Sequence, residues 1–113
     1  SPGNGVVMFS QCTVEDGVTV EESMAAHKKL AGEMKSEGGT LSSWIFYPGL
    51  GAGDIDFHYW SVLAAENYTQ LGAAIEMYNN GGGWQKRRAV MGDVVSCGSP
   101  SVFEAHLVVG PES

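Results

Sequence analysis

The stretch Phe57-His58-Tyr59-Trp60-Ser61-Val62-Leu63-Ala64-Ala65-Glu66-Asn67-Tyr68 decides the fold. Its first half is aromatic or β-branched at most positions, which suits a pleated strand. Its second half reaches Asn67, with Gln70 three residues on, a pairing that caps a helix start. The stripe Tyr68, Leu71, Ala74, Ile75 and Tyr78 then repeats at helical spacing. Asn79-Asn80-Gly81-Gly82-Gly83 must end that helix, because such a run is costly in a helix interior. A strand therefore passes straight into a helix.

Upstream, Leu41-Ser42-Ser43-Trp44-Ile45-Phe46-Tyr47 reads as another strand, closed by Pro48 and joined onward by the loop Gly49-Leu50-Gly51-Ala52-Gly53-Asp54. Before it stands Thr19-Val20-Glu21-Glu22, a capping box in which Thr19 and Glu22 satisfy each other's exposed amides. Val20, Met24, Leu30, Ala31 and Met34 carry that helix to about Lys35, and Gly38-Gly39 supplies its stop. The first strand spans Gly5 to Val14. Downstream, a short helix is expected over Trp84 to Val95, weakened at its end by Gly92 and Asp93. After Gly98-Ser99-Pro100, Val102 to Val109 makes a fourth strand, and the last four residues form a frayed tail.

The element order is β-α-β-β-α-β, with an added helical segment before the last strand. Right-handed crossovers then give an α+β, ferredoxin-like domain over residues 1–113, with a four-stranded antiparallel sheet in order 4-1-3-2. Both helices cover one sheet face and leave the other bare.

Composition narrows the function. The chain has 113 residues and is 43% hydrophobic and 17% charged, as a globular domain should be. Its net charge of −7 opposes a phosphate backbone, so no nucleic-acid partner is expected. No apolar run approaches the roughly 20 residues that cross a bilayer, and no membrane partner is expected. Ser1-Pro2-Gly3-Asn4-Gly5 is not a signal peptide, which predicts a cytoplasmic protein. The topology brings Cys12 and Cys97 together. Bonding between them depends on geometry and compartment; in a cytoplasmic setting two reduced, partly buried thiols are expected.

The bare face is too aromatic to stay wet. Trp44 and Phe46 alternate with Ile45 and Tyr47, and Phe57 and Tyr59 alternate with Trp60, whereas a solvated face should alternate with polar residues. The simplest cover is a second copy of the chain, closing a barrel-like interior with room for a ligand.

With this order of elements, and with Phe57 to Tyr68 as its closest local match, the chain resembles the dimeric α/β-barrel superfamily, which includes antibiotic-biosynthesis-monooxygenase-like proteins. The segment Tyr78-Asn79-Asn80-Gly81-Gly82-Gly83-Trp84 also resembles small uncharacterised marine bacterial proteins of that fold. The resemblance implies a homodimer that binds a hydrophobic or aromatic molecule between sheet and helices or inside the barrel. Some members are cofactor-free oxygenases and some bind haem. The tryptophan that often ends the third strand in that group is replaced here by Leu63, so catalytic residues are not carried over.

The residues themselves offer further candidates. On the fourth strand Phe103, Ala105, Leu107 and Val109 form an apolar side expected to face the helices. Val102, Glu104, His106 and Val108 are expected to face the barrel interior, where a histidine beside a carboxylate can act as a general base. The competing reading is a hydrogen-bonded pair that only tunes the cavity or its rim. On the third strand His58 and Trp60 are assigned to the interior, with the opposite parity, Tyr59 and Ser61 inside, left open. Trp44 and Phe46 serve either as ligand contacts or as packing, and His27 reads as a satisfied histidine on the first helix's apolar stripe.

His27, His58 and His106 lie on separate elements without ligand spacing, so no metal is expected. The glycine-rich loop lacks the ending of a phosphate loop and joins strand to strand. Lys86-Arg87-Arg88 reads as a solvated helix face, or as the anchor for a carboxylate. The leading expectation is a homodimer enclosing a fatty-acid- or polyketide-like molecule, with no cofactor. Its contacts are Phe9, Trp44, Phe46, His58, Trp60, Trp84, Glu104 and His106. The alternative is a cofactor-free oxygenase or isomerase that uses His106 or His58 as base, with Glu104.

Overall fold

The computed structural model describes residues 4–50, 53 and 55–111. The first strand, β1 (Asn4–Val14), is followed by α1 (Val20–Ser36), β2 (Ser42–Phe46), β3 (Tyr59–Ala65), α2 (Tyr68–Asn80), α3 (Gly83–Met91), β4 (Val95–Cys97) and β5 (Ser101–His106). Among the described residues the fold is α+β, with a five-stranded antiparallel sheet and three helices. The glycine-rich loop and the expected frayed tail lie partly outside the described residues, at 51, 52, 54 and 112–113.

The capping box on α1 is present: the Glu22 amide donates to Thr19 Oγ1 at 3.0 Å and the Thr19 amide donates to Glu22 Oε1 at 2.9 Å. Those bonds hold the Glu22 carboxyl below the usual carboxylate range. Asn67 caps α2 by accepting the Gln70 amide at 2.8 Å. The turn into α3 needs glycine twice. Gly82 has φ of 89°, and a Cβ on Gly83 would stand 2.7 Å from the Tyr78 backbone, where the turn presses against the helices.

The sheet order differs in detail from the expected 4-1-3-2. β1 sits beside β3, which sits beside β2, but the other edge of β1 is shared by two strands. β4 pairs with its C-terminal end, Cys12 opposite Cys97, and β5 pairs with its N-terminal end, Phe9 opposite Ser101. Between those pairings residues 10–11 of β1 stand opposite residues 98–100, so the second strand carries an additional residue. This is a β-bulge, and the Gly98 amide donates to the Gln11 carbonyl at 2.8 Å within it.

The bulge corrects the expected facing of the last strand. Without it the alternation begun at Cys97, which shares a side with Cys12, would bring Phe103 and Ala105 under the helices. With it, Val102, Glu104 and His106 pair with Met8, Val6 and Asn4 on the helix side, while Phe103 and Ala105 pair with Val7 and Gly5 on the open side. Glu104 and His106 therefore do not face the open sheet side.

All three helices cover one face of the sheet. At one end Cys12, Val14, Tyr59 and Val95 pack under Met91 of α3, with Ala26 and Leu30 of α1 against them. At the other end Leu71 of α2 packs on Val6 and Ala65. Each such fully buried apolar side chain contributes about 1.5–3 kcal/mol. Among the described residues no helix is long and apolar enough to cross a membrane.

Candidate functional site

Between these two core clusters the helix layer does not close onto the sheet. A cavity of about 520 Å³ remains there. Its walls are the facing sides of two helices: Leu30, Ala31 and Met34 of α1, and Leu71, Ala74, Ile75 and Tyr78 of α2. Its floor is the helix-facing row of the sheet, Met8 and Ser10 of β1, Ser61 and Leu63 of β3, and Ser43 of β2. The floor explains the hollow. Ser10, Ser61 and Ser43 occupy positions where a core would carry Val, Ile or Leu, and the missing volume is the cavity. The size falls within the range of roughly 300–1,000 Å³ for small-molecule sites.

The polar groups on the lining are few. Arg87 reaches the cavity from α3, and Lys35 stands at the end of α1. His27 and Cys97 close the end nearest α3. His27 is only 8% exposed, its ring meets that of Tyr59 edge-on at 5.4 Å, and its Nε2 has no hydrogen-bond partner. Burial, with the Arg87 charge beside it, pushes the imidazole pKa down to about 4, so His27 is neutral at pH 7. The satisfied histidine expected from sequence is thus buried but unsatisfied. Burial likewise raises the Tyr59 phenol above its ordinary value. Beside them Cys12 and Cys97 form a disulfide, which corrects the expectation of reduced thiols. Their cross-strand pairing brings the two residues into bonding range.

The opposite sheet face carries the aromatics. Phe9 lies at its centre, with edge-on contacts to Phe46 at 5.7 Å, Trp60 at 5.8 Å and Phe103 at 5.6 Å. Phe57 adds a contact to Trp60 at 4.8 Å. Val62, paired with Phe9 and Trp44, is buried among its neighbours. Trp44 and Phe103 are each 57% exposed. Pairing places Gly5, Val7, Phe9, Gln11 and Thr13 of β1 on this side, with Ser42, Trp44 and Phe46 of β2. Trp60, Val62 and Ala64 of β3 and Ser101, Phe103 and Ala105 of β5 complete it. None of these side chains is charged.

Phe9, Trp44, Phe46 and Trp60 therefore share the open face, and of the two parities left open for the third strand the one with Tyr59 and Ser61 on the helix side is adopted. His58 stands apart from them at the end of β3, where its amide donates to the Cys12 carbonyl at 2.9 Å and its Nδ1 accepts the Val14 amide at 2.8 Å. Glu104 and His106 do come together, at 3.2 Å, but on the exposed helix-side rim of the edge strand. The Tyr68 hydroxyl donates to Glu104 at 2.8 Å and, with His106, holds that carboxyl below its ordinary range. Trp84 lies on α3 beside a shallower hollow that also includes Arg88. None of the eight expected contacts lines the 520 Å³ cavity. The signal for the cavity was present in the serines at 10, 43 and 61, set among apolar strand residues.

No protein-family model and no curated protein sequence matches the chain. Among solved structures it is similar to that of a novel haem-binding protein from Thermus thermophilus, with a TM-score of 0.53 and 14% identity. The likeness covers 96% of this chain and 42% of that one, so this chain spans less than half its length. Identity this low speaks to fold alone.

Proposed function

We propose that the chain is a ferredoxin-like protein of the dimeric α/β-barrel type that binds a hydrophobic small molecule between its helices and sheet, and pairs with a second copy through its open face. The observation that carries the first part is the cavity of about 520 Å³, walled by apolar helix residues over a floor of serines. A fatty-acid- or polyketide-like molecule suits it, with the tail along Leu30, Met34, Leu71 and Ile75 and a carboxylate toward Arg87. This moves the ligand from the barrel interior to the other side of the sheet.

The uncharged aromatic face supports the second part. A two-fold contact sets the same patch against itself, and a patch without charge meets its own copy without repulsion. In a chain of net charge −7, that is a selective feature.

The haem-binding neighbour suggests one further occupant, and His27, the histidine that lines the cavity, does not suit it as a ligand. The His27 ring nitrogen that would meet iron lies within 4.8 Å of both cysteine sulfurs, so a macrocycle centred there would overlap the disulfide. The enzyme alternative built on Glu104 and His106 has less support than binding, because both side chains are more than half exposed and neither lines the 520 Å³ cavity.

Titration with an anilinonaphthalene-sulfonate probe, together with native mass spectrometry, tests both parts. The wild type is expected to bind one probe per chain and to run as a dimer. Ala74→Trp should weaken probe binding at least tenfold while leaving the dimer intact. Trp44→Glu should release single chains that still bind the probe. A probe response indifferent to Ala74→Trp would refute the cavity, and a wild type of single-chain mass would refute the pairing.

A further inference from the structure

Cys12, His27 and Cys97 come from three different elements, β1, α1 and β4, and their ligand atoms lie within 4.8 Å of one another. His27 is more than nine-tenths buried, and its Nε2 finds no donor or acceptor in the protein. A buried ring nitrogen without a partner is costly, and such atoms are few in folded proteins. Here it stands beside the only two sulfurs that cysteine supplies to the chain. Two sulfurs and one imidazole nitrogen are the donor set of a zinc-class ion.

We propose that reduction of the Cys12–Cys97 bond turns this point into a Cys₂His site for a divalent ion of the zinc class, so that disulfide and metal are alternative states of the same residues. The chemistry balances. The disulfide takes up two electrons and two protons from an external dithiol, which leaves as its own disulfide. The two thiols then lose their protons to solvent as the ion binds.

The distances suit the exchange. Tetrahedral coordination with Zn–S near 2.3 Å and Zn–N near 2.0 Å requires sulfurs about 3.8 Å apart and each sulfur about 3.5 Å from the nitrogen. Sulfurs freed of their bond separate to that range by side-chain rotation, and the His27 ring nitrogen, within 4.8 Å of both, closes the remaining gap by a shift of its ring. Charge is accommodated too. Arg87 stands close enough to His27 to depress its basicity and would repel a bare dication, but two thiolates neutralise the ion. Cys97 and His27 both line the cavity, so the fourth coordination position opens onto it. An open fourth position is the arrangement found in zinc sites that engage water or a ligand.

The test uses the whole chain, reduced with a phosphine and kept under inert gas, with Co²⁺ as the optical probe. One equivalent of Co²⁺ is expected to give a thiolate-to-cobalt charge-transfer band with tetrahedral d–d absorption, bleached by one equivalent of Zn²⁺. The oxidised protein should give neither. His27→Ala, reduced in the same way, should bind Co²⁺ at least tenfold more weakly. Far-ultraviolet circular dichroism on each sample reports whether the fold persists. The proposal is overturned by a reduced protein without the band, by equal affinity in His27→Ala, or by a band that appears only in a chain that has lost its secondary structure.

Discussion

The two faces of the sheet solve opposite packing problems with residues only one position apart. On β1, Met8 and Ser10 turn to the helices while Val7 and Phe9 turn away. On β3, Ser61 and Leu63 turn to the helices while Trp60 and Val62 turn away. The face that has a cover is underfilled, with serines beneath a gap between α1 and α2. The face without a cover is overfilled, with aromatic rings set edge to edge around Phe9. Burial potential and actual burial are thus inverted across a single layer of backbone. An underfilled interior invites a guest, and an overfilled exterior invites a neighbour.

The largest expected break in this comparison falls at the disulfide, which pins β4 to β1 on the covered side. It closes a loop with a sequence separation of 85, and chain-entropy arithmetic gives about 4–5 kcal/mol for a loop of that size. The Cys12→Ala/Cys97→Ala double variant should lose about that much stability in urea unfolding, and a loss below about 1 kcal/mol would show that the bond adds little to the covered side.

Leu71→Ala comes next. Its side chain is 5% exposed and seats α2 on Val6 and Ala65, so truncation should cost about 3 kcal/mol by the same measurement and leave the molecular mass in solution unchanged. A change of mass in this variant would mean that the two faces are coupled rather than separate.

A smaller effect depends on pH. In the oxidised protein His27 has its pKa lowered from 6.5 to about 4. The unfolded chain therefore binds a proton that the folded chain refuses, and His27's contribution, complete above pH 6.5, is lost as pH falls toward 4. The urea midpoint should drop across that window, and His27→Gln should flatten the drop. The smallest effect is local. Tyr68→Phe removes the main bond that lowers the Glu104 carboxyl, so the Glu104 pKa followed by NMR should rise toward its ordinary value with little change in overall stability.

How much of this could be read from sequence depends on the range of the interaction involved. The helix starts at Thr19 and Asn67 are local, settled within four residues by side chains that reach their own backbone, and both occur as expected. The third strand begins two residues later than expected because His58 meets β1 partly through its ring nitrogen. β4 was hidden because Val95–Cys97 is too short to show a period and owes its pairing to Cys12 and Val14. The serine floor of the cavity at 10, 43 and 61 is visible in the sequence, but its walls depend on how α1 and α2 sit above it, which no local pattern encodes. Alternation groups Trp44 with Phe46 within one strand, but it leaves the side of Trp60 open, and only the pairing of Val62 with Phe9 and Trp44 sets these rings on one face. Their task there belongs to the proposal.

The bulge at residues 98–100 acts as a phase shifter between the two halves of the outer strand. Odd-numbered Cys97 and even-numbered Glu104 look the same way only because one surplus residue intervenes. Deleting a single residue there would remove the bulge and leave two residues on each strand between the Cys12–Cys97 and Phe9–Ser101 pairs, so Phe103 would still look outward and Glu104 toward the helices. Deleting two would break the phase, driving Phe103 inward and turning Glu104 toward the rings. Loss of one residue at this corner should thus be tolerated and loss of two rejected.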